Sequence, residues 1–93
     1  MKNSEQTILQ EAQSLVYGDR NNSYGHPADD YGRTVQAFNA LTGRDLTTEE
    51  GVLFMMCVKL SRQAFKHSRD NLVDLAGYAA CAQRVHNRRN GIE

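Results

Sequence analysis

The apolar run from Val52 to Val58, continued past Lys59 by Leu60, constrains this chain more than any other feature. It follows Thr47-Thr48-Glu49-Glu50, which fits a capping box: a Thr47 N-cap whose hydroxyl takes the amide of Glu50, while Glu50 reaches back to Thr47. A helix is therefore expected from there to about Phe65. It is apolar almost all round between Val52 and Leu60, so it is expected to be the central, most buried helix. The run is far short of the roughly 20 apolar residues that a membrane span needs.

Helical spacing of apolar residues recurs in three other segments. Residues 4–17 carry Ile8, Leu9, Ala12, Leu15 and Val16 on one stripe, with Ser4 as cap, Glu5 at the positive end and Gly18 as terminator. Residues 18–27 hold two Gly, two Asn, an Asp, a Ser and the chain's single Pro, and read as a loop. Pro27 fits the first turn of a second helix, where Asp29 and Asp30 complement the dipole; Tyr31, Val35, Phe38 and Leu41 follow, and Gly43 closes it. A fourth helix runs from about residues 68–70 to Asn87, ending before Asn90-Gly91. Its middle, Ala76 to Ala82, is dense in small residues, and Gly77 marks close approach of a neighbouring helix, because Gly inside a helix costs about 1 kcal/mol relative to Ala.

No strand pattern or repeat is present. The expectation is a single all-α domain over residues 1–93, a compact bundle of about four helices. The short link after the third helix makes helices three and four an antiparallel hairpin. With 93 residues the buried fraction is modest, so a symmetric oligomer is expected. Cys57 and Cys81 lie in apolar helical runs without metal-ligand spacing and read as small core hydrophobes. Residues 1–10 have no apolar stretch of signal-peptide length, so the cytoplasm is the expected location. Lys plus Arg equals Asp plus Glu at 11 each. That balance argues against duplex nucleic acid as the main partner, because such proteins carry a basic excess to neutralise phosphates.

Three constellations could carry chemistry. Tyr24, Gly25 and His26 stand just before the second helix, where a ring hydroxyl and an imidazole could meet a ligand; the plainer reading has Tyr24 packed and His26 capping the helix. Lys59, Arg62 and Lys66 recur at one-face spacing and could clamp a phosphate. Asp70 and Asp74 face them from the fourth helix. Asp74 sits among apolar neighbours, so it either pairs structurally with Lys59 or Arg62, or joins Asp70, with Asp30 as a further ligand, in holding Mg²⁺ through oxygen. Arg84, His86, Arg88 and Arg89 form a third cluster, read as a solvated helix end whose cations suit the negative dipole. No P-loop, nucleophile elbow or zinc-type cluster occurs.

The runs Tyr-Gly-His-Pro-Ala-Asp-Asp-Tyr-Gly-Arg-Thr (24–34), Lys-Leu-Ser-Arg (59–62) and Arg-Asp-Asn-Leu-Val-Asp-Leu-Ala-Gly-Tyr (69–78) together resemble a family of short phage and prophage proteins of unknown function. Their order is similar to that of a nucleotide-modification-associated phage domain and, more distantly, of the all-α MazG-like nucleoside triphosphate pyrophosphohydrolases. The latter resemblance implies a Mg²⁺ site with its fourth-helix carboxylate at Asp74. The Glu-x-x-Glu pair of those enzymes is absent here, since Glu49 and Glu50 are adjacent and serve as cap residues. The expectation is a binder of a nucleotide or nucleotide-derived small molecule, without a cofactor, in a host cytoplasm if phage-encoded. A Mg²⁺-dependent pyrophosphohydrolase and a host-protein interaction module are the alternatives.

Overall fold

The structure, a computed structural model, describes residues 5–93 and is all-helical over them. The first helical rod starts at Thr7, not at Ser4, which lies outside the described residues. Thr7 forms a capping box with Gln10: the Thr7 hydroxyl accepts from the Gln10 amide at 3.1 Å, and the Thr7 amide donates to Gln10 Oε1 at 2.9 Å. The rod comprises α1 (Ile8–Ser14), a π-helical turn (Leu15–Asp19) and α2 (Arg20–Tyr24). Then come α3 (Pro27–Thr42), α4 (Thr48–Phe65) and α5 (Arg69–Arg89), which makes four rods among the described residues.

The stretch expected to be a loop, residues 18–27, is helical as far as Tyr24. Gly18 does not end the first helix, because the π turn carries the chain through it. A π turn places one extra residue within the helical ladder. Here it buries Val16 while Arg20 and Tyr24 continue the rod. Only Gly25 and His26 remain between rods, and Gly25 adopts a left-handed φ of 82°. The other expected boundaries hold. Pro27 stands in the first turn of α3, Gly43 caps it at φ 72°, and the Thr47–Glu50 capping box starts α4.

The largest departure concerns which helix is central. That helix is α5, which touches α1, the π turn, α3 and α4, and buries Val73, Gly77, Tyr78, Cys81, Arg84 and Val85. Helix α4 buries only Val52, at 0% exposure. It packs against α3 and α5 alone, so one flank of its apolar circumference meets the core. Leu53, Phe54 and Leu60 turn outward at 52–65% exposure. Phe38 and Leu41 on α3 are exposed as well. Cys57 is exposed and Cys81 buried, both as free thiols, so the core-hydrophobe reading applies to Cys81 only.

Three contacts in reversed sequence order lay α4 alongside α5: Glu49 with Arg89, Lys59 with Asp74, and Gln63 with Asn71. Two helical glycines face a valine of another rod, and the approach is closer than a Cβ allows at Gly51 only. A Cβ on Gly77 would lie 3.4 Å from Val16 Cγ2, at the edge of contact, and a Cβ on Gly51 would lie 2.4 Å from Val35 Cγ2. Arg69 ties the start of α5 to the first rod through Glu11 at 2.5 Å and the Gln6 carbonyl at 2.9 Å. Tyr31 and Tyr78 meet edge to face at 6.1 Å between centroids, beside Val16, Val52, Cys81 and Val85.

Gly51→Ala should lower stability by about 1–3 kcal/mol, because Val35 is buried and stiff at χ1 and cannot yield the space. Gly18, with open space around its Cβ position and an ordinary helical φ, should behave oppositely: Gly18→Ala should raise stability by about 0.5–1 kcal/mol. Urea unfolding of both variants checks the pair, and Val35→Ala should relieve much of the Gly51→Ala penalty.

Candidate binding cavity

The α3–α4 connection begins where Gly43 turns the chain. Asn39 then fixes its far end: its side chain donates to the Leu46 carbonyl and accepts from the Leu46 amide, both at 3.0 Å. This two-way bond holds Leu46 beside α3. Above it the two helices touch at Gly51 and Val35, and beside that contact they enclose a cavity of about 430 Å³. Its wall is mainly apolar and aromatic, built from Tyr31, Val35, Phe38, Leu46, Phe54, Met55 and Tyr78. The volume lies within the range of small-molecule sites, which combine an apolar wall with a few convergent polar groups.

The polar groups gather at one edge. Arg20, Tyr24, Asp30 and Thr34 complete the wall. Arg20 stacks over the Tyr24 ring at 5.5 Å and donates to the Tyr31 hydroxyl at 3.4 Å, so its guanidinium is held by two aromatic side chains. Burial pushes the Tyr31 phenol well above its ordinary range, and the Tyr78 hydroxyl adds to the shift while Arg20 opposes it. Tyr31 therefore stays neutral and can both donate and accept. One cation, one carboxylate and the hydroxyls of Tyr24, Tyr31 and Thr34 stand at the edge of an aromatic chamber.

The expected site residues divide. Tyr24 enters this wall, from the last turn of α2. Its neighbours do not: Gly25 forms the bend, and His26 caps α3, its Nδ1 accepting from the Ala28 amide at 3.0 Å. Lys59 forms an ion pair with Asp74 at 2.8 Å, with the lysine side chain 15% exposed and the aspartate 32%. This pair sits one helical turn beyond the cavity, since Lys59 follows Met55 by four residues on α4 and Asp74 precedes Tyr78 by four on α5. Arg62, a further turn on, is exposed on the same flank of α4. Lys66 is extended and lies past the helix end, so it leaves the stripe. Asp70 is exposed at the start of α5. Among the described residues no three carboxylate, imidazole or thiolate side chains gather as a metal site.

Arg20, Thr34, Phe38 and Phe54 are not among the site residues expected from the sequence, where Phe38 reads only as an apolar position of the second helix. The signal for Arg20 was its spacing of four from Tyr24, which has meaning only on a helix, and that segment read as a loop.

The basic cluster of α5 is engaged within the molecule. Arg84 is buried, lies over the Tyr17 ring at 4.8 Å, and donates to Asn21 Oδ1 at 2.9 Å and Glu93 Oε1 at 3.1 Å. Arg88 meets Asp29 at 3.4 Å, and Arg89 and His86 meet Glu49. The Glu93 carboxylate also contacts His26 Nε2 at 2.8 Å and accepts from the Asn87 side chain at 3.1 Å. With His26 Nδ1 accepting at the cap, Nε2 carries the proton that donates to Glu93. Hydrogen bonds from Asn87, His26 and Arg84 draw the Glu93 carboxyl down to about 2 from an ordinary 4.5.

These features define a small all-α domain with an aromatic, one-sidedly polar cavity. Residues 7–86 match the family model described as "Domain of unknown function (DUF6378)", and the chain belongs to that family. It is 32% identical over 82 residues to the Gene 55 protein of Mycobacterium phage D29, an alignment covering 87% of this chain and 54% of the phage protein. The chain thus spans about half the length of that relative. No solved structure matches. No helix among the described residues is long and apolar enough to cross a membrane.

The folded-state pKa of Glu93 lies below its unfolded value, so its clasp stabilises fully above about pH 4.5 and the contribution disappears as pH falls through about 2. Thermal midpoints of the wild type should exceed those of Glu93→Gln at neutral pH. The gap should close between pH 4.5 and 2.

Proposed function

We propose that the α3–α4 cavity binds a nucleotide or a nucleotide-derived small molecule. The observation that carries this reading is the pairing, in about 430 Å³, of aromatic walls with the Arg20 guanidinium at their edge. A nucleobase is planar and polarisable and stacks on rings such as Phe54, Phe38 and Tyr24. Asp30, Thr34 and the Tyr31 hydroxyl offer both acceptors and donors to the polar edge of a base. Arg20 supplies the charge that a phosphate requires. Lys59 and Arg62 extend positive charge one and two turns beyond Met55, along the direction a phosphate chain would take. Of these two, Lys59 is already balanced by Asp74, so Arg20 and Arg62 carry the phosphate interaction.

Binding has more support here than Mg²⁺-dependent pyrophosphate hydrolysis. The carboxylate expected at the metal, Asp74, is paired with the Lys59 ammonium, and among the described residues no three His, Cys, Asp or Glu side chains stand together as a metal site. Two carboxylates of which one is neutralised do not fit the donor set of a catalytic magnesium. The hairpin of α4 and α5 serves in this reading as the frame that positions Met55 and Tyr78 against the ligand.

Scanning fluorimetry with ribo- and deoxyribonucleoside mono-, di- and triphosphates and cyclic dinucleotides, with and without Mg²⁺, tests the reading. One ligand class should raise the midpoint by several degrees, since a ligand at a hundred times its Kd contributes about 2.7 kcal/mol. Arg20→Ala and Phe54→Ala should each weaken its calorimetric affinity roughly tenfold, and Arg88→Ala should not. The reading fails if no nucleotide in the panel shifts the midpoint.

A further inference from the structure

One surface of the molecule is not explained by the cavity. The outward side of α4 carries Leu53, Cys57, Leu60 and Ala64, all exposed, at steps of four, three and four residues. That alternation is the spacing of a helix–helix seam. Phe54, Ser61 and Phe65 flank it, with Phe54 at 65% and Phe65 at 91% exposure. Lys59 is the only charge on α4 between Glu50 and Arg62, and it turns inward to Asp74. A continuous uncharged strip therefore faces outward, with apolar side-chain area on the order of 500 Å². A patch of that size is at the upper end of what single domains present, and the largest patch of a domain is often an interaction surface.

We propose that this face pairs with the same face of a second copy of the chain, in an antiparallel contact about a two-fold axis between Cys57 and Leu60. The pattern is self-complementary under that rotation. The small side chains Cys57 and Ala64 alternate with Leu53 and Leu60, so Leu60 of one α4 falls against Cys57 of the other and Leu53 against Ala64. No like charges are brought together in the seam. The formal net charge of zero leaves no long-range repulsion between copies. The patch supplies the apolar centre of an interface of about 800 Å² per partner, the size a stable dimer needs. Phe54 belongs both to this face and to the cavity wall, so pairing covers one flank of the cavity mouth. Leu60 and Cys57 lie outside that wall, which lets pairing and nucleotide binding be scored separately on one variant.

Sedimentation equilibrium, with a short bis-maleimide crosslinker as second readout, tests the proposal. The wild type should sediment as a dimer, and the crosslinker should join two copies through Cys57, since Cys81 is buried. Leu60→Lys, at an exposed position, should keep its helical circular dichroism while raising the dimer dissociation constant at least tenfold and abolishing the crosslink; Cys57→Ser should abolish the crosslink alone. A wild type that stays monomeric at high concentration, whether its face is left to solvent or to another protein, overturns the proposal. So does a dimer that Leu60→Lys leaves intact, and a dimer that Leu60→Lys dissolves but that the crosslinker does not join through Cys57. None of these outcomes alters the nucleotide reading, which stands or falls on the cavity variants.

Discussion

The approach of Val16 to Gly77 is the contact on which the arrangement of the molecule depends. A Cβ at position 77 would stand 3.4 Å from the valine methyl, in van der Waals contact with no room beyond it. A side chain larger than Ala at position 77 would push the first rod outward, and with it the π turn that begins one residue before Val16. That turn sets the direction of α2 and brings Arg20 to the Tyr31 hydroxyl and Tyr24 to the cavity edge. A packing constraint between two apolar side-chain positions thus determines where the cation of the cavity stands.

Charge is distributed to the same end. The chain has as many acids as bases, and four of the described ion pairs are couples between helical rods: Glu11 with Arg69, Glu49 with Arg89, Asp74 with Lys59, and Asp29 with Arg88. Each joins two separate segments, so the pairs act as ties between rods rather than as surface decoration. Exposed pairs of this kind contribute little individually, but Arg84 is buried and its loss would remove contacts to Asn21, Glu93 and the Tyr17 ring at once. Arg20 is the cation that aromatic groups hold in place at the rim of the chamber, and it is the electrostatic basis of the proposed phosphate recognition there.

Helix positions were legible where local signals and tertiary packing agree. The Thr47–Glu50 box, Pro27 in a first turn and Gly43 at a left-handed cap each act within a few residues, and each stands where the sequence implies. Gly18 to Tyr24 was misread because Gly, Asn, Asp and Ser carry weak helix propensity, while contacts made from far along the chain override it. Arg84 reaching Asn21 across 63 positions is such a contact. The burial of α4 was misjudged for a related reason. An apolar circumference shows that a helix needs partners, but it does not say whether those partners lie within the same chain. Asp74 with Lys59 was foreseeable, since a carboxylate between apolar neighbours requires a counter-charge on the facing helix. Phe54 and Phe38 could not be separated from core positions by spacing alone, because a cavity wall and a core share one pattern.

The most direct test of the account is a ¹H–¹⁵N correlation titration of the assigned protein with the nucleotide that stabilises it most. Ligand in the α3–α4 cavity should shift the amides of Tyr24, Thr34, Leu46, Gly51 and Met55 and leave those of Arg88 and Arg89 in place. Shifts confined to the end of α5, with the cavity amides unmoved, would contradict the assignment of the cavity as the binding site.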